Sequence, residues 1–306
     1  MQSSLPTSCT VLERGWLSSN NIVFTHGKQT AVVDTGYVSH AGQTLSLLQA
    51  ILSVPDLDLI VNTHLHSDHC GGNALLQSHF AGVRTLIPPG HAPEVHNWDA
   101  TALSYTPTGQ SCPRFTFSDV LQPGSTLLLG NDNWEIHTAP GHDPHSVILF
   151  EPQSRTLISA DALWENGFGV VFQELEGINA FAEVAATLNV IEKLNPLTVI
   201  PGHGHAFTDV GDALLRARRR LDRFVLDPIR HANYGAKVLI KYKLLEWQLC
   251  TTTQLQEWVV QTPYFDILHR RFFIDQPFDQ WLINLLADLV RSGAIEQSAD
   301  MLTNRD

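Results

Sequence analysis

Four side chains that can bind a metal ion occur within six residues: His64, His66, Asp68 and His69. The preceding residues 57–62 are aliphatic and β-branched, which predicts a buried strand that ends where this polar cluster begins. Side chains two apart on an extended segment point the same way, so His64, His66 and Asp68 can converge on one small volume. Imidazole and carboxylate together favour zinc and other borderline divalent metals.

The alternative interpretation is structural, since a single histidine on an apolar strand is usually a hydrogen-bonded core residue. Three histidines and an aspartate in six residues fit that interpretation poorly, because unpaired buried polar groups are costly. Gly71 and Gly72 follow the cluster and allow a tight turn before a helix. We therefore interpret the cluster as part of a metal centre.

Three further polar residues stand where an apolar strand meets a tight turn: His142, Asp161 and His203. Each signal is weak alone, and Asp161 by itself would be interpreted as a turn or capping aspartate. Together they repeat one design, in which a strand delivers one side chain to a common edge. Function in layered α/β proteins gathers at such strand ends.

The composition limits the classes of partner. The chain has 306 residues, 43 % of them hydrophobic, which indicates one large domain or one large and one small. The net charge of −12 disfavours nucleic acid and anionic membrane, since both need clustered Lys and Arg. The one basic run, residues 216–220, is interpreted as a solvated helix face. We expect neither a signal peptide nor a membrane span.

The four cysteines form no close-spaced pair: Cys9, Cys70, Cys112 and Cys250. This spacing favours reduced, isolated thiols in a cytoplasmic protein. Cys70 follows a candidate ligand, and we interpret it as a small packing residue.

Strands and helices alternate in the first two thirds of the chain, which indicates α/β layering. Strands are expected at residues 10–12, 21–25, 30–36, 57–62, 83–87, 127–129, 134–138, 147–150, 156–161 and 198–203, with a turn at 26–28. Helices are expected at 41–53, ended by Pro55, and at 74–80, 181–195, 212–226, 236–250, 252–261 and 277–292. Residues 88–113 are expected to be loop-like, either as a lid or pocket wall or as a surface excursion.

The motifs together resemble those of the metallo-β-lactamase superfamily. The resemblance lies in His64-Leu-His66-Ser-Asp68-His69, Pro140-Gly-His142, Ala160-Asp161 and Pro201-Gly-His203-Gly, with Val33-Asp34-Thr-Gly36 upstream. It implies an α/β protein with a four-layer αβ/βα sandwich. We expect a catalytic domain at residues 1–210 and a small, mainly helical and winged-helix-like extension at 211–306.

The resemblance also implies two divalent metal ions. His64, His66 and His142 would hold the first ion, and Asp68, His69 and His203 the second. Asp161 would bridge both, which points to the glyoxalase II, lactonase and ribonuclease Z side of the superfamily. Zinc is favoured, with iron or manganese as alternatives. A metal-bound water would be the nucleophile, and Asp68 or Asp161 would orient it or accept its proton.

Three residues are candidates for supporting roles around the ligands. Asp34 would brace backbone or a ligand histidine, or would be a plain turn aspartate. His145 would donate a hydrogen bond to an oxyanion or to a ligand, and His205 would brace the last loop. For both histidines the alternative is an outer or surface position without a role in the reaction.

Substrate recognition is less specified by the sequence. Trp164, Phe168 and Phe172 follow Asp161 and form either an apolar pocket wall or part of the core. We expect a small-molecule substrate with an apolar part. The acidic balance of residues 277–292 disfavours DNA, so we expect the extension to serve in packing, in closing the pocket or in forming a homodimer.

Three functions remain open at this point. The first is a dinuclear zinc hydrolase that acts on a carbonyl ester-type bond, such as a thioester or lactone. The second is an iron-dependent enzyme like the persulfide dioxygenases, and the third is a metal-containing ligand-binding or regulatory protein with little turnover.

Overall fold

The structure, a computed structural model, describes residues 5–27, 29–52 and 56–305. The strands are β1 Cys9–Leu12, β2 Asn21–Phe24, β3 Ala31–Val33, β4 Leu59–Val61, β5 Arg84–Ile87, β6 Asp119–Val120, β7 Thr126–Leu129, β8 Asp132–Thr138, β9 Val147–Glu151, β10 Thr156–Ala160, β11 Thr198–Pro201, β12 Leu249–Thr251, β13 Ile295–Ser298 and β14 Met301–Asn304. The α-helices are α1 Ala41–Ile51, α2 Ser67–Cys70, α3 Asn73–His79, α4 Ala92–Asn97, α5 Tyr105–Thr108, α6 Phe172–Glu176, α7 Phe181–Leu194, α8 Val210–Leu226, α9 Pro228–Trp247, α10 Thr252–Gln261, α11 Pro263–Phe272 and α12 Phe278–Arg291.

Two sheets form the body of the molecule. The first has the order β1-β2-β3-β4-β5-β6, and the second has the order β11-β10-β9-β8-β7. In the first sheet β3, β4 and β5 are parallel, and in the second β10 and β11 are parallel. Because β9 is antiparallel to both β8 and β10, the carboxyl ends of β8, β10 and β11 lie at one edge.

The two sheets pack face to face around a shared apolar core, with helices on both outer faces. Val33 and Val61 of the first sheet meet Leu149 and Ile158 of the second in this core. Helices α1 and α3 cover the outer face of the first sheet, and α7 and α8 cover the outer face of the second. The result is the expected four-layer αβ/βα sandwich, in which strands buried on both faces are nearly all aliphatic.

The carboxyl-terminal extension is mainly helical with a small sheet of order β12-β14-β13. Its winged-helix-like character stays a prediction. Helix α8, however, packs its buried face on the second sheet of the sandwich. The expected boundary at residue 211 falls at the start of α8, and the division into a catalytic domain and an extension stays a prediction.

Several expected elements differ from those in the structure. Residues 88–113 were expected to be loop-like, but they contain α4 and α5, which are short and interrupted by turns. The expected helix at 236–250 begins earlier, because Pro228 is tolerated in the first turn and Asp227 accepts a hydrogen bond from the Arg230 backbone amide. Helix α11 was not expected at all. Position 28 of the expected turn and the helix end at residues 53–55 lie outside the described residues.

Within the part of the chain that the structure describes, no helix is both long enough and apolar enough to cross a membrane.

The shared core between the sheets predicts a strong effect of truncating one of its side chains. Leu149 in β9 is fully buried there, so Leu149→Ala should lower the free energy of unfolding by about 2–5 kcal/mol. The matched control is Leu197→Ala, whose side chain is 52 % exposed, and it should change that free energy by less than about 0.5 kcal/mol. Urea unfolding measures both, and equal losses would contradict the described core.

Candidate metal centre

Four loops at one edge of the two sheets carry the candidate ligands, and a fifth carries Asp34. The early cluster follows β4, while His142, Asp161 and His203 follow β8, β10 and β11 respectively. Asp34 follows β3, and it has a φ of 58°, while Ala160 beside Asp161 has a φ of 47°. Both values lie in the left-handed region, which costs a non-glycine residue energy and is concentrated at functional sites.

The first group of donors consists of His64, His66 and His142. His64 Nε2 lies 3.1 Å from His66 Nδ1, and His66 Nδ1 lies 2.8 Å from His142 Nε2. Three ring nitrogens thus face one another in a small volume, as expected for these residues.

The second group consists of Asp68, His69, Asp161 and His203, whose donor atoms all lie within 4.8 Å of one another. His203 Nε2 is 3.1 Å from Asp68 Oδ2, and His69 Nε2 is 3.9 Å from the same oxygen. This group combines two carboxylates with two imidazoles, a donor set suited to a divalent cation.

Asp161 stands between the two groups. Its Oδ2 is 3.4 Å from His142 Nε2 of the first group and 3.8 Å from His203 Nε2 of the second. Its Oδ1 is 3.5 Å from His69 Nε2. One carboxylate therefore faces donors of both groups.

The far sides of three imidazoles are fixed by acceptors. His142 Nδ1 donates to the Val170 carbonyl at 2.6 Å, and His203 Nδ1 donates to the Gly15 carbonyl at 3.1 Å. His69 Nδ1 donates to the Asp34 carboxylate at 2.7 Å. Because these acceptors have no proton to give, the Nε2 atoms of the neutral rings keep their lone pairs, and those lone pairs point into the site.

Electrostatics in the two groups differ. Burial, together with His142, lowers the pKa of His66 to about 4, and burial with the neighbouring His69 and His66 lowers the pKa of His64 well below its usual value. In the second group, burial alone would lower the pKa of His69, but Asp34 and Asp161 hold it well above its usual value. The carboxylates there favour a positive charge, which a divalent ion supplies as well as a proton does.

The residues present fit such an ion on two structural grounds. His69 Nε2 is buried and has no hydrogen-bond partner, which is costly unless a cation accepts its lone pair. Glycines also keep the space open: a Cβ at Gly202 would lie 2.1 Å from Asp161 Oδ1, and one at Gly169 would lie 2.3 Å from His142 Nδ1.

The three residues proposed to support the ligands, Asp34, His145 and His205, lie in different environments. The structure places Asp34 behind the centre, where it accepts from Thr63 N at 2.9 Å and Thr63 Oγ1 at 2.7 Å besides His69. His205 is on the surface, with 84 % of its side chain exposed, and pairs with Glu13 at 2.5 Å. The His145 ring packs on His91 at 4.5 Å between centroids and belongs to neither group of donors among the described residues, and its supporting role stays a prediction.

Some contacts around the centre were not anticipated. Trp164 was expected only as a pocket wall or core residue, but its Nε1 donates to Asp161 Oδ1 at 3.1 Å. Trp16, which is 55 % exposed, stacks on the His203 ring at 5.5 Å. Sequence gave no signal for Trp16, since it lies far from every motif. Asp143, next to His142, has Oδ2 at 3.9 Å from His66 Nε2.

The centre opens into a cavity of about 760 Å³. Trp164 and Phe172 line this cavity, whereas Phe168 is buried in the core under α8. Residues of the 88–113 segment also contribute to the wall, among them Ser104 and Thr108. The cavity has the size of a small-molecule site.

The expectation of isolated thiols is wrong for one pair. Cys70 Sγ lies 3.8 Å from Cys112 Sγ, although 42 residues separate them in the chain. Both are unbridged, and Cys70 is fully buried.

Comparison with known proteins agrees with this fold. The sequence profile of the metallo-β-lactamase superfamily matches residues 14–203, more than half of the chain. The chain belongs to this superfamily, and the fold and the clustered donors define a metal-dependent hydrolase.

Curated relatives include named hydrolases, and a solved structure shares the fold. A protein of Methanocaldococcus jannaschii named "Probable metallo-hydrolase" is 27 % identical over 65 % of this chain and 93 % of its own length. A "Probable hydroxyacylglutathione hydrolase" of Schizosaccharomyces pombe is 27 % identical over 60 % of this chain and 62 % of its own length, so the chain spans less than two thirds of that relative. The crystal structure of a metallo-β-lactamase family protein from Thermus thermophilus has a TM-score of 0.56 at 18 % identity, covering 99 % of this chain and 100 % of the other.

The Asp34–His69 contact predicts a measurable effect on metal affinity. Asp34→Asn removes the carboxylate that orients His69 and should weaken metal binding about 10- to 100-fold. Competition with a chromogenic chelator measures this affinity. Asp119→Asn, at an exposed position in β6, is the matched control and should leave it unchanged; equal affinity of both variants would exclude the bracing role of Asp34.

Proposed function

We propose that the chain hydrolyses a carbonyl ester-type bond, a thioester or lactone, with two zinc ions. The observation that supports this proposal best is the position of Asp161, whose Oδ2 faces His142 of the first group and His203 of the second. His64, His66 and His142 would hold one ion, Asp68, His69 and His203 the other, and Asp161 both.

Zinc ions at these positions would supply a hydroxide nucleophile at neutral pH and would polarise the carbonyl. Protein side chains would orient the water and accept its proton. Asp68 has 14 % of its side chain exposed, more than Asp161 with 6 %, so it is the better placed carboxylate to orient a water from the cavity or accept its proton. Asp161 is held in position by the hydrogen bond from Trp164.

The substrate proposal rests on the cavity and on one relative. Trp16, Trp164 and Phe172 give the cavity apolar surface next to the centre, which suits a small molecule with an apolar part. The Schizosaccharomyces pombe relative carries a name that specifies an acylglutathione, which is a thioester. A thioester is therefore the first substrate class to test, and a lactone the second.

The net charge of −12 supports a small molecule rather than nucleic acid or an anionic membrane as the partner. We propose the cytoplasm as its location on the basis of four cysteines that the structure leaves unbridged. For the carboxyl-terminal extension we propose two roles, closing the substrate pocket or forming a homodimer.

Metal content separates the hydrolase from an oxygen-dependent iron enzyme. We expect about two zinc ions per chain in protein purified without added metal, since the second group has four donors, three of them buried, and the first has three donors. Elemental analysis of the purified protein measures this content. One iron per chain would instead favour the persulfide dioxygenase-like alternative.

Loss of a ligand should remove metal and turnover together. Asp161→Ala and His66→Ala should each lower metal content and should reduce kcat/KM on a thioester at least about 100-fold, because even outer-shell changes cost 10- to 100-fold. His79→Ala, at an exposed position in α3, is the control. Full metal content in both ligand variants would refute the assignment, and a metal-loaded wild type that hydrolyses no thioester or lactone would refute the function.

A further inference from the structure

We propose that Arg220 forms an anion-binding subsite in the substrate cavity, so that the substrate carries a carboxylate or phosphate away from the bond that is cleaved. This inference rests on the hydrolase function proposed above and names the class of its substrate. It starts from the basic run at residues 216–220, which was expected to be a solvated helix face.

The arginines of this run do not share one environment. Arg218 behaves as expected on a surface, with its Nη2 2.9 Å from Glu192 Oε2 and 2.9 Å from Asn189 Oδ1. Arg216 and Arg220 instead turn toward the loop after Asp161. Arg216 Nε donates to the Glu165 carbonyl at 2.7 Å, and Arg220 Nη1 lies 3.4 Å from the Asn166 carbonyl.

The guanidinium of Arg220 lies against aromatic rings, and two of its three nitrogens have no hydrogen-bond acceptor. Its central carbon is 4.5 Å from the ring centroid of Tyr234, 5.3 Å from that of Phe224 and 5.5 Å from that of Phe168. Its Nε and Nη2 are buried without a hydrogen-bond partner, and no ion pair among the described residues includes it. Buried charged donors without acceptors are costly, and two oxygens of a planar or tetrahedral anion would satisfy them.

Arg220 contacts the loop that follows Asp161. It contacts Asn166 and Phe168 of this loop. Trp164, two residues before Asn166, donates a hydrogen bond to Asp161. Two residues span at most about 7 Å of chain. Arg220 also lines the same cavity as the candidate ligands. A small molecule with its carbonyl at the centre could thus place an anionic group at this guanidinium.

The other cations of the cavity are already compensated. Lys237 Nζ lies 3.3 Å from Asp288 Oδ2, and Lys241 Nζ donates to oxygen atoms of the carboxyl-terminal segment at 2.9 and 2.5 Å. Glu165, which also lines the cavity, is exposed and forms no ion pair with Arg220 among the described residues. Arg220 is therefore the cation whose charge a substrate is best placed to balance.

Matched thioesters locate the anionic group on the substrate. S-pentanoyl-N-acetylcysteamine is neutral, its S-glutaryl analogue carries a carboxylate on the acyl side, and S-pentanoyl-3-mercaptopropionate carries one on the thiol side. In the zinc-loaded enzyme, Arg220→Gln should raise the KM of one anionic thioester about 10- to 100-fold more than that of the neutral thioester. Arg220→Lys should restore part of the loss, and Arg218→Gln should change nothing. Equal effects on all three thioesters would overturn the subsite.

Direct binding makes the test independent of turnover. Pentanoate and butyl phosphate share a butyl chain and differ in the anion, so calorimetry on the zinc-loaded protein tells which anion is preferred. Any binding of the anion to the zinc ions occurs in wild type and variant alike, so the difference in affinity between them reports the contribution of Arg220. Arg220→Gln should weaken the affinity for the preferred anion about 10-fold or more. A wild type that hydrolyses no thioester would count against the hydrolase function, whereas unchanged affinity for both anions in Arg220→Gln would count against the subsite.

Discussion

The structure is organised around a concentration of lone pairs that the protein itself does not neutralise. Five imidazoles and two carboxylates meet at one largely buried edge, and several of their nitrogens face one another at about hydrogen-bond distance. Such an arrangement is unfavourable without a cation, because buried polar atoms need partners. Asp34 and the Val170 carbonyl increase this demand, since they turn the imidazole lone pairs inward.

The sandwich fold brings together candidate ligands that are distant in sequence. The early cluster is local, but His142, Asp161 and His203 arrive on strands of the other sheet. Only the packing of the two sheets through Val61, Leu149 and their neighbours brings both sets to one edge. Close approach at that edge then requires small residues, which is why glycine stands at positions 169 and 202.

The fold and the candidate ligands were largely predictable, because they depend on local patterns. Short aliphatic strands that end in histidine or aspartate are visible in the sequence, and the spacing of His64, His66 and Asp68 shows which side chains can converge. The sequence could not show what depends on tertiary contact: the stacking of Trp16 on His203, the approach of Cys70 to Cys112, or the burial of Arg220. Nor could the sequence show that the His145 ring packs on His91, because proximity in the chain does not determine the direction of a side chain. Helix α11 was missed because it begins at Pro263, and a proline there was interpreted as a break between helices although the first turn of a helix tolerates it.

The division of labour along the chain has a consequence for how relatives of this protein can differ. Every candidate ligand precedes residue 204, whereas α8 and α9 supply Arg220, Tyr234 and Val238 to the cavity wall. Substitutions in those two helices can reshape the compartment without disturbing the reaction centre. Chains that share residues 14–203 can therefore retain one hydrolytic chemistry while their final third selects among differently shaped molecules.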